Sequence, residues 1–121
     1  MDSLYNRFGG EKAVEETVEA LYQRVLSDPL LNVFFEHVDM TRQKRKFRLF
    51  LNTVLGGPIT RSPIELRAAH SRAVDHGLDD AHFDAFCLHL LDALRSQGIQ
   101  GEIAKTIMMR VEESRTDVLG Y

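Results

Sequence analysis

The sequence has little of what marks secreted, membrane or nucleic-acid-binding proteins. It has one cysteine, Cys87, in 121 residues, which excludes an intramolecular disulfide. No apolar run approaches the roughly 20 residues of a membrane span. The first residues show no basic region followed by an apolar one, as a signal peptide would, so we expect a cytoplasmic protein. The net charge of −3 gives no reason to expect nucleic acid or a membrane as partner.

Sequence motifs of hydrolases and transferases are also missing. There is no glycine-rich phosphate loop, no pair of cysteines at metal-binding spacing and no serine–histidine motif. The chain shows no repeats, linkers or low-complexity segments, so we predict one domain over residues 1–121. No segment alternates polar and apolar residues as a half-buried strand does. The sequence therefore predicts an all-α domain.

Helical periodicity and capping residues divide the chain into short helices. Apolar side chains recur at helical spacing, and double glycines and prolines separate the segments. A four-helix up-and-down bundle needs four long helices of similar length, whereas short crossing helices are typical of globin-like packing around a pocket. The predicted helices cover residues 3–8, 11–27, 40–55, 63–76, 80–97 and 100–118, and residues 30–37 form a compact apolar turn.

The stretch Ser62–Val74 predicts one short helix with His70 on its apolar side. Ser62 and Glu65 form a capping box, and Pro63 suits the first helical position. A neutral imidazole among small apolar neighbours is suited to bind a haem iron as axial ligand. The alternative is a core histidine whose ring nitrogen is satisfied by a backbone carbonyl.

Two other polar side chains lie on predicted apolar faces. Tyr22 falls within the stripe of the second helix, so its hydroxyl needs a hydrogen-bonding partner. Gln43 lies on the apolar line of the third helix, where an unpartnered buried amide costs about 1–3 kcal/mol. Tyr22 can instead reach a backbone carbonyl in the core, and Gln43 can lie at the end of the stripe in solvent.

Residues along nearly the whole chain resemble the group I truncated haemoglobins. Each motif alone is weak, but their order and spacing together are fairly specific. The motifs that carry the resemblance are Leu4-Tyr5, Phe8-Gly9-Gly10, Leu21-Tyr22, Asp28-Pro29, Phe34-Phe35, Val38-Asp39-Met40, Gln43, Phe50-Leu51, Gly56-Gly57, Leu66-Arg67-Ala68-Ala69-His70, Gly77-Leu78, His82-Phe83-Asp84 and Asp117-Val118-Leu119.

The resemblance implies a two-over-two helical sandwich around haem b, with His70 as the proximal iron ligand. It implies that Tyr22 and Gln43 contact the distal ligand, which is oxygen, nitric oxide, carbon monoxide or a similar diatomic gas. Reversible oxygen binding or transport and nitric oxide detoxification with an external reductase are the roles it implies. Further residues expected beside the haem are Phe34, Phe35, Arg42 (for a propionate), Phe50, Leu66, Phe83, Phe86 and Val118.

Three positions depart from the family pattern. Phe47 stands in the distal pocket where many relatives have a second glutamine, which removes one donor. Lys46 stands where some relatives have a side chain that binds the iron; its stem can instead cover the haem edge while its ammonium reaches water. No histidine stands near Ser114, where one subset links covalently to the haem, so we expect non-covalent haem.

Three functions therefore remain open from the sequence. The first is a globin that binds oxygen and other diatomic gases. The second is a six-coordinate haem sensor or electron-transfer protein in which Lys46 is the distal iron ligand. The third is a haem-free helical interaction domain that retains the fold.

Overall fold

A computed structural model describes residues 4–56 and 63–120, with the side chains of residues 63–66 excepted. Within these ranges every regular element is helical, which confirms the all-α prediction. Among the described helices, none is both long and apolar enough to cross a bilayer. The helices are α1 (Leu4–Phe8), α2 (Gly10–Leu26), α3 (Pro29–Asn32), α4 (Met40–Val54), α5 (Pro63–Asp75), α6 (Asp80–Ser96), α7 (Gly101–Glu113) and α8 (Arg115–Leu119), and a 3₁₀ turn (Val33–Phe35) follows α3.

The longer helices form two packed layers. Helix α2 lies against α4 in one layer, α6 lies against α7 in the other, and α2 crosses α6 at the centre. The face of α2 that was predicted to be apolar is fully buried there. Because α2 contacts both layers, its inward side chains are among the best shielded from solvent in the described chain. They include Val14, Val18, Leu21, Tyr22 and Val25.

The predicted first residues of α4 and α6, Met40 and Asp80, are confirmed. The Asp39 carboxylate accepts hydrogen bonds from the backbone N–H groups of Thr41 and Arg42 at the start of α4. At the start of α6, Asp79 accepts from the Ala81 N–H, and the His82 ring accepts from the Asp79 N–H. These side chains satisfy donors that have no partner inside the helix.

The turn between α1 and α2 requires glycine. Gly9 and Gly10 have φ values of +123° and +74°, which other residues rarely adopt. A Cβ on Gly9 would also lie 2.7 Å from the Cβ of Ala13. The double glycine therefore permits a reversal too tight for any side chain at its first position.

The last predicted helix is wrong in one respect, because it is interrupted at Ser114. The Ser114 hydroxyl donates to the Val111 carbonyl, 2.6 Å away, and such local bonds compete with the helical ladder. Just beyond the break, Arg115 pairs with Asp80 and Asp84 of α6. Beyond the break, α8 packs along α5, the helix that carries His70.

Candidate functional site

Tyr22 lies at the centre of the candidate site, on the buried face of α2. Its side chain is only 1% exposed, and burial raises the pKa of its phenol to about 12. The phenol oxygen accepts a hydrogen bond from Gln43 Nε2 of α4, with 3.1 Å between the heavy atoms. The two polar residues predicted on apolar faces therefore meet across the α2–α4 contact.

The proton of the Tyr22 hydroxyl has no acceptor among the described residues. The contact with Gln43 uses the phenol oxygen as acceptor, and a phenol can donate as well as accept. A buried donor of this kind is suited to a polar ligand that enters the pocket, because an unsatisfied polar group away from water is costly.

Four phenylalanines form a cluster that meets the Tyr22 ring. Phe35, Phe47 and Phe86 contact the Tyr22 ring edge to face, with centroids 5.8, 6.1 and 6.4 Å away. Phe47 also packs on Phe86 and Phe50, at 5.6 and 5.7 Å. All four phenylalanine side chains are half-buried. The result is an aromatic cluster beside one polar pair, a composition typical of small-ligand sites.

A contact distant in sequence positions the turn that carries Phe35. Asp28 caps α3 by accepting from the Leu30 N–H at 2.9 Å, and Pro29 begins the helix. The other Asp28 carboxylate oxygen contacts His89 Nε2 of α6 at 2.7 Å. This contact lowers the pKa of Asp28, together with the Leu30 N–H bond. Sequence reasoning missed it, because nothing near either residue indicates a partner 61 positions away.

His70 lies on α5 and is half-buried. Helix α5 packs along α8, and α8 is anchored to α6 by Arg115, whose guanidinium contacts Asp80 at 2.9 Å and lies 4.6 Å above the Phe83 ring. The surrounding carboxylates raise the pKa of Arg115. This anchor was also missed from the sequence. In the described residues, α5 does not pack extensively on α4, the helix that precedes it.

Comparison with known proteins agrees with this architecture. The model of the family described as bacterial-like globin matches residues 3–119. A group 1 truncated haemoglobin of Chlamydomonas moewusii is 39% identical over 97% of this chain and 68% of its own. The GlbN group 1 truncated haemoglobin of Synechocystis is 36% identical over 85% of this chain and 84% of its own.

This chain is a group 1 truncated haemoglobin. The crystal structure of the 2/2 haemoglobin from Synechococcus, with covalently attached haem, has a TM-score of 0.91, is 34% identical, and covers 99% of this chain and all of that one. That of the truncated haemoglobin from Tetrahymena pyriformis has a TM-score of 0.85 at 30% identity, over 99% of this chain and all of that one. The two-over-two fold predicted from the sequence is confirmed, and the family is one that binds haem and gas ligands.

The structure of this truncated haemoglobin divides the remaining site candidates into two groups. Phe35 faces Tyr22, whereas Phe34 packs on the His82 ring at 5.0 Å. Phe83 is buried beneath Arg115, and Val118 is half-buried on α8. For these three residues the described chain gives no ring contact or hydrogen bond with Tyr22 or Gln43.

The basic candidates are on the solvent side of α4. Arg42 and Lys46 are both exposed, and their side chains form no hydrogen bond or ion pair within the described ranges. Lys44 differs, because its ammonium is held by Glu19 at 3.1 Å. The Leu66 side chain and the Ser62 cap lie outside the described residues.

Proposed function

We propose that this truncated haemoglobin binds haem b non-covalently, with His70 as proximal iron ligand, and reversibly binds oxygen and other diatomic gases beside Tyr22 and Gln43. The observation that carries the proposal is the buried Tyr22 hydroxyl. It accepts from Gln43 while its own proton has no acceptor in the described chain. A hydroxyl in this state is ready to donate to a ligand.

The residues of the pocket fit a flat apolar cofactor. Phe35, Phe47, Phe50 and Phe86 remain half-buried although they meet in one cluster. The free energy gained by burying a large aromatic side chain is greatest when the side chain is fully removed from water. The cluster therefore has apolar surface that a bound cofactor could cover. The His70 helix does not pack extensively on α4 in the described residues, as a haem held between the proximal and distal candidates would require.

Three properties of the pocket residues determine how a ligand is held. Ferrous haem, when bound, supplies the iron atom to which a diatomic gas binds. Gln43 donates to the Tyr22 oxygen, which fixes the rotation of the hydroxyl and directs its proton away from Gln43. Because its pKa is raised to about 12, Tyr22 remains protonated at neutral pH. The aromatic rings exclude water, so the hydrogen bond from Tyr22 to a polar ligand is stronger than it is in solvent.

The variants studied in a related protein support these assignments. Crystal structures of the Tetrahymena pyriformis protein include a Tyr-to-Phe variant and two Gln-to-Glu variants. Their positions in that chain have the same spacing as Tyr22, Gln43 and Phe47 have here. Phe47 therefore replaces the second glutamine. No histidine follows His89 in this sequence, so none stands near Ser114 to form a covalent link to the haem. This supports non-covalent binding of the haem.

We extend the proposal to nitric oxide detoxification. The net conversion of nitric oxide and oxygen to nitrate consumes one electron for each nitrate formed, so the protein needs an external reductase. The proton donated by Tyr22 and the water-free aromatic wall suit a reaction that must hold a polar oxygen ligand until nitric oxide arrives.

Spectra of haemin-loaded protein test the proposal. We expect ferric, ferrous and carbonyl forms with the absorption of a histidine-bound haem protein, and loss of the five-coordinate ferrous histidine signal in His70→Ala. His76→Ala is the matched control, since His76 directly follows the same helix and its side chain bonds only to the Arg72 carbonyl among described residues. A protein that stays colourless, or a His70→Ala spectrum identical to that of the control, contradicts the proposal.

A second candidate function, a six-coordinate sensor or electron-transfer protein, is favoured by Lys46. Its amine is unpaired in the described chain and lies one turn beyond Gln43 on α4. A lysine binds iron only after losing its proton, so ligation should strengthen as the pH rises. We expect a pH-dependent low-spin ferric spectrum that disappears in Lys46→Ala and persists in Lys44→Ala. A spectrum unchanged by pH and by Lys46→Ala rules this function out.

A further inference from the structure

The outer side of α4 is strongly basic. Helix α4 contains five of the 15 basic residues and no acidic residue, although the whole chain carries −3. At about 100° per residue, Arg42, Arg48 and Leu49 fall within an arc of about 120° centred on Arg45. We call these four residues the basic face of α4.

No residue of the described chain neutralises this face. The three arginine side chains form no ion pair or hydrogen bond there, whereas Lys44, on the flank of the same helix, is paired with Glu19. Leu49 is 54% exposed in the midst of the arginines. An exposed apolar side chain ringed by charges has the anatomy of a small, electrostatically guided interface.

We propose that the basic face of α4 is the docking surface for an acidic electron-transfer protein, the reductase of the proposed function on which this inference rests. A membrane is disfavoured, because a single exposed leucine cannot insert an amphipathic helix. Nucleic acid is disfavoured because the face has no aromatic side chain and the remainder of the chain is acidic. One haem propionate can take Arg42, but Arg45 and Arg48 remain.

The position of the face suits electron transfer. Gln43 and Phe47 lie on the opposite side of α4, against Tyr22. A helix with its side chains is about 10–12 Å thick, so a partner on the basic face sits one helix away from the ligand pocket. Encounters between redox proteins bury small areas, and steering by charge raises their association rates by about 10–1,000-fold.

Reduction of the ferric holoprotein by a reduced plant-type [2Fe–2S] ferredoxin, used as the acidic probe, tests the inference. The ferredoxin loses one electron and the haem iron gains it. We expect the second-order rate to fall about 10-fold or more between about 0.01 and 0.15 M ionic strength, as the Debye length shortens from about 30 to 8 Å. Arg45→Glu/Arg48→Glu should slow reduction about 10-fold at low ionic strength. Neither residue is assigned to the pocket, so the carbonyl spectrum should stay unchanged.

The matched control is Arg95→Glu/Lys105→Glu, which changes the net charge equally at exposed sites on α6 and α7 and should leave the rate within about twofold. As a second readout, NMR titration of the carbonyl form with oxidised ferredoxin should shift amides of residues 42–49. Three results would overturn the docking surface: equal slowing in both variants, a rate independent of salt, or tight binding to phosphatidylserine vesicles through residues 42–49. In each case the haem spectra would still uphold the proposed function. A protein without a haem spectrum overturns both.

Discussion

Replacing Tyr22 by phenylalanine isolates the hydroxyl on which the proposed function depends. The ring is 1% exposed and contacts Phe35, Phe47 and Phe86, so phenylalanine preserves the packing. The change removes the only acceptor of Gln43 Nε2 among the described residues and the proton that we assign to the ligand. We therefore expect a change in ligand binding without rearrangement of the pocket.

The size of the effect follows from the kind of hydrogen bond lost. Bonds to a group that carries charge contribute about 1.5–3 kcal/mol, and about 1.4 kcal/mol is a factor of ten in rate or affinity. Oxygen, which becomes strongly polarised when bound, should dissociate from Tyr22→Phe about 10- to 150-fold faster. Carbon monoxide accepts hydrogen bonds weakly, so its dissociation should change by no more than about threefold.

Stopped-flow replacement of oxygen by carbon monoxide measures the dissociation rate. Tyr5→Phe is the control, because it removes the same atom from an outer tyrosine whose hydroxyl bonds to Glu11 at 2.9 Å. Combining Tyr22→Phe with Gln43→Leu should give less than the sum of the separate effects, since Gln43 orients the tyrosine hydroxyl. An oxygen rate within twofold of the parent protein, or equal changes for both gases, refutes the assignment of Tyr22 as ligand donor.

Three more predictions concern Phe47, alkaline stability and acid stability. Phe47→Gln restores a donor worth about 1 kcal/mol, so oxygen should dissociate several-fold more slowly; an unchanged rate counts against its place beside the ligand. Because the pKa of Tyr22 is about 12 when folded and about 10 when unfolded, the free energy of unfolding should fall by about 2 kcal/mol between pH 10 and 12. Denaturant titrations of Tyr22→Phe should show a smaller fall in the free energy of unfolding over this pH range. An equal fall in the variant and the parent protein contradicts the prediction. The pKa of Asp28 is lowered by His89. The contribution of Asp28 to stability is therefore complete above its pKa in the unfolded chain and is lost as the pH falls through its lower pKa in the folded protein. In thermal melts, Asp28→Asn should reduce the fall in melting temperature at acid pH, and Asp92→Asn should not. The same pH dependence in both variants argues against the contact between Asp28 and His89.

Helix ends and inward faces were accessible from the sequence because their causes are local. Asp39 and Asp79 cap helices through atoms two or three residues away, and Gly9 is required by a tight turn. Tyr22 and Gln43 could be recognised as polar residues on apolar faces for the same reason, since helical periodicity depends only on spacing along one segment.

The features that the sequence analysis did not predict depend on competition between local and distant contacts. Ser114 lies within an apparently continuous helical pattern, and its hydroxyl bond to Val111 competes with the ladder only weakly. Arg115 meets two aspartates more than 30 positions earlier in the chain, which no local pattern reveals. Phe34 and Phe35 were both expected beside the haem, and in the structure Phe35 faces Tyr22 whereas Phe34 packs on His82.

By itself, the sequence determined within a residue where the longer helices begin, which side of each is apolar and which polar residues interrupt those sides. Only the tertiary structure decided that the Tyr22 oxygen meets Gln43, that His89 holds the cap of α3, and that α8 lies along the His70 helix. The physical reason is that side-chain periodicity arises within one helix. Contacts between helices depend on crossing geometry and on polar pairs brought together only when the chain folds.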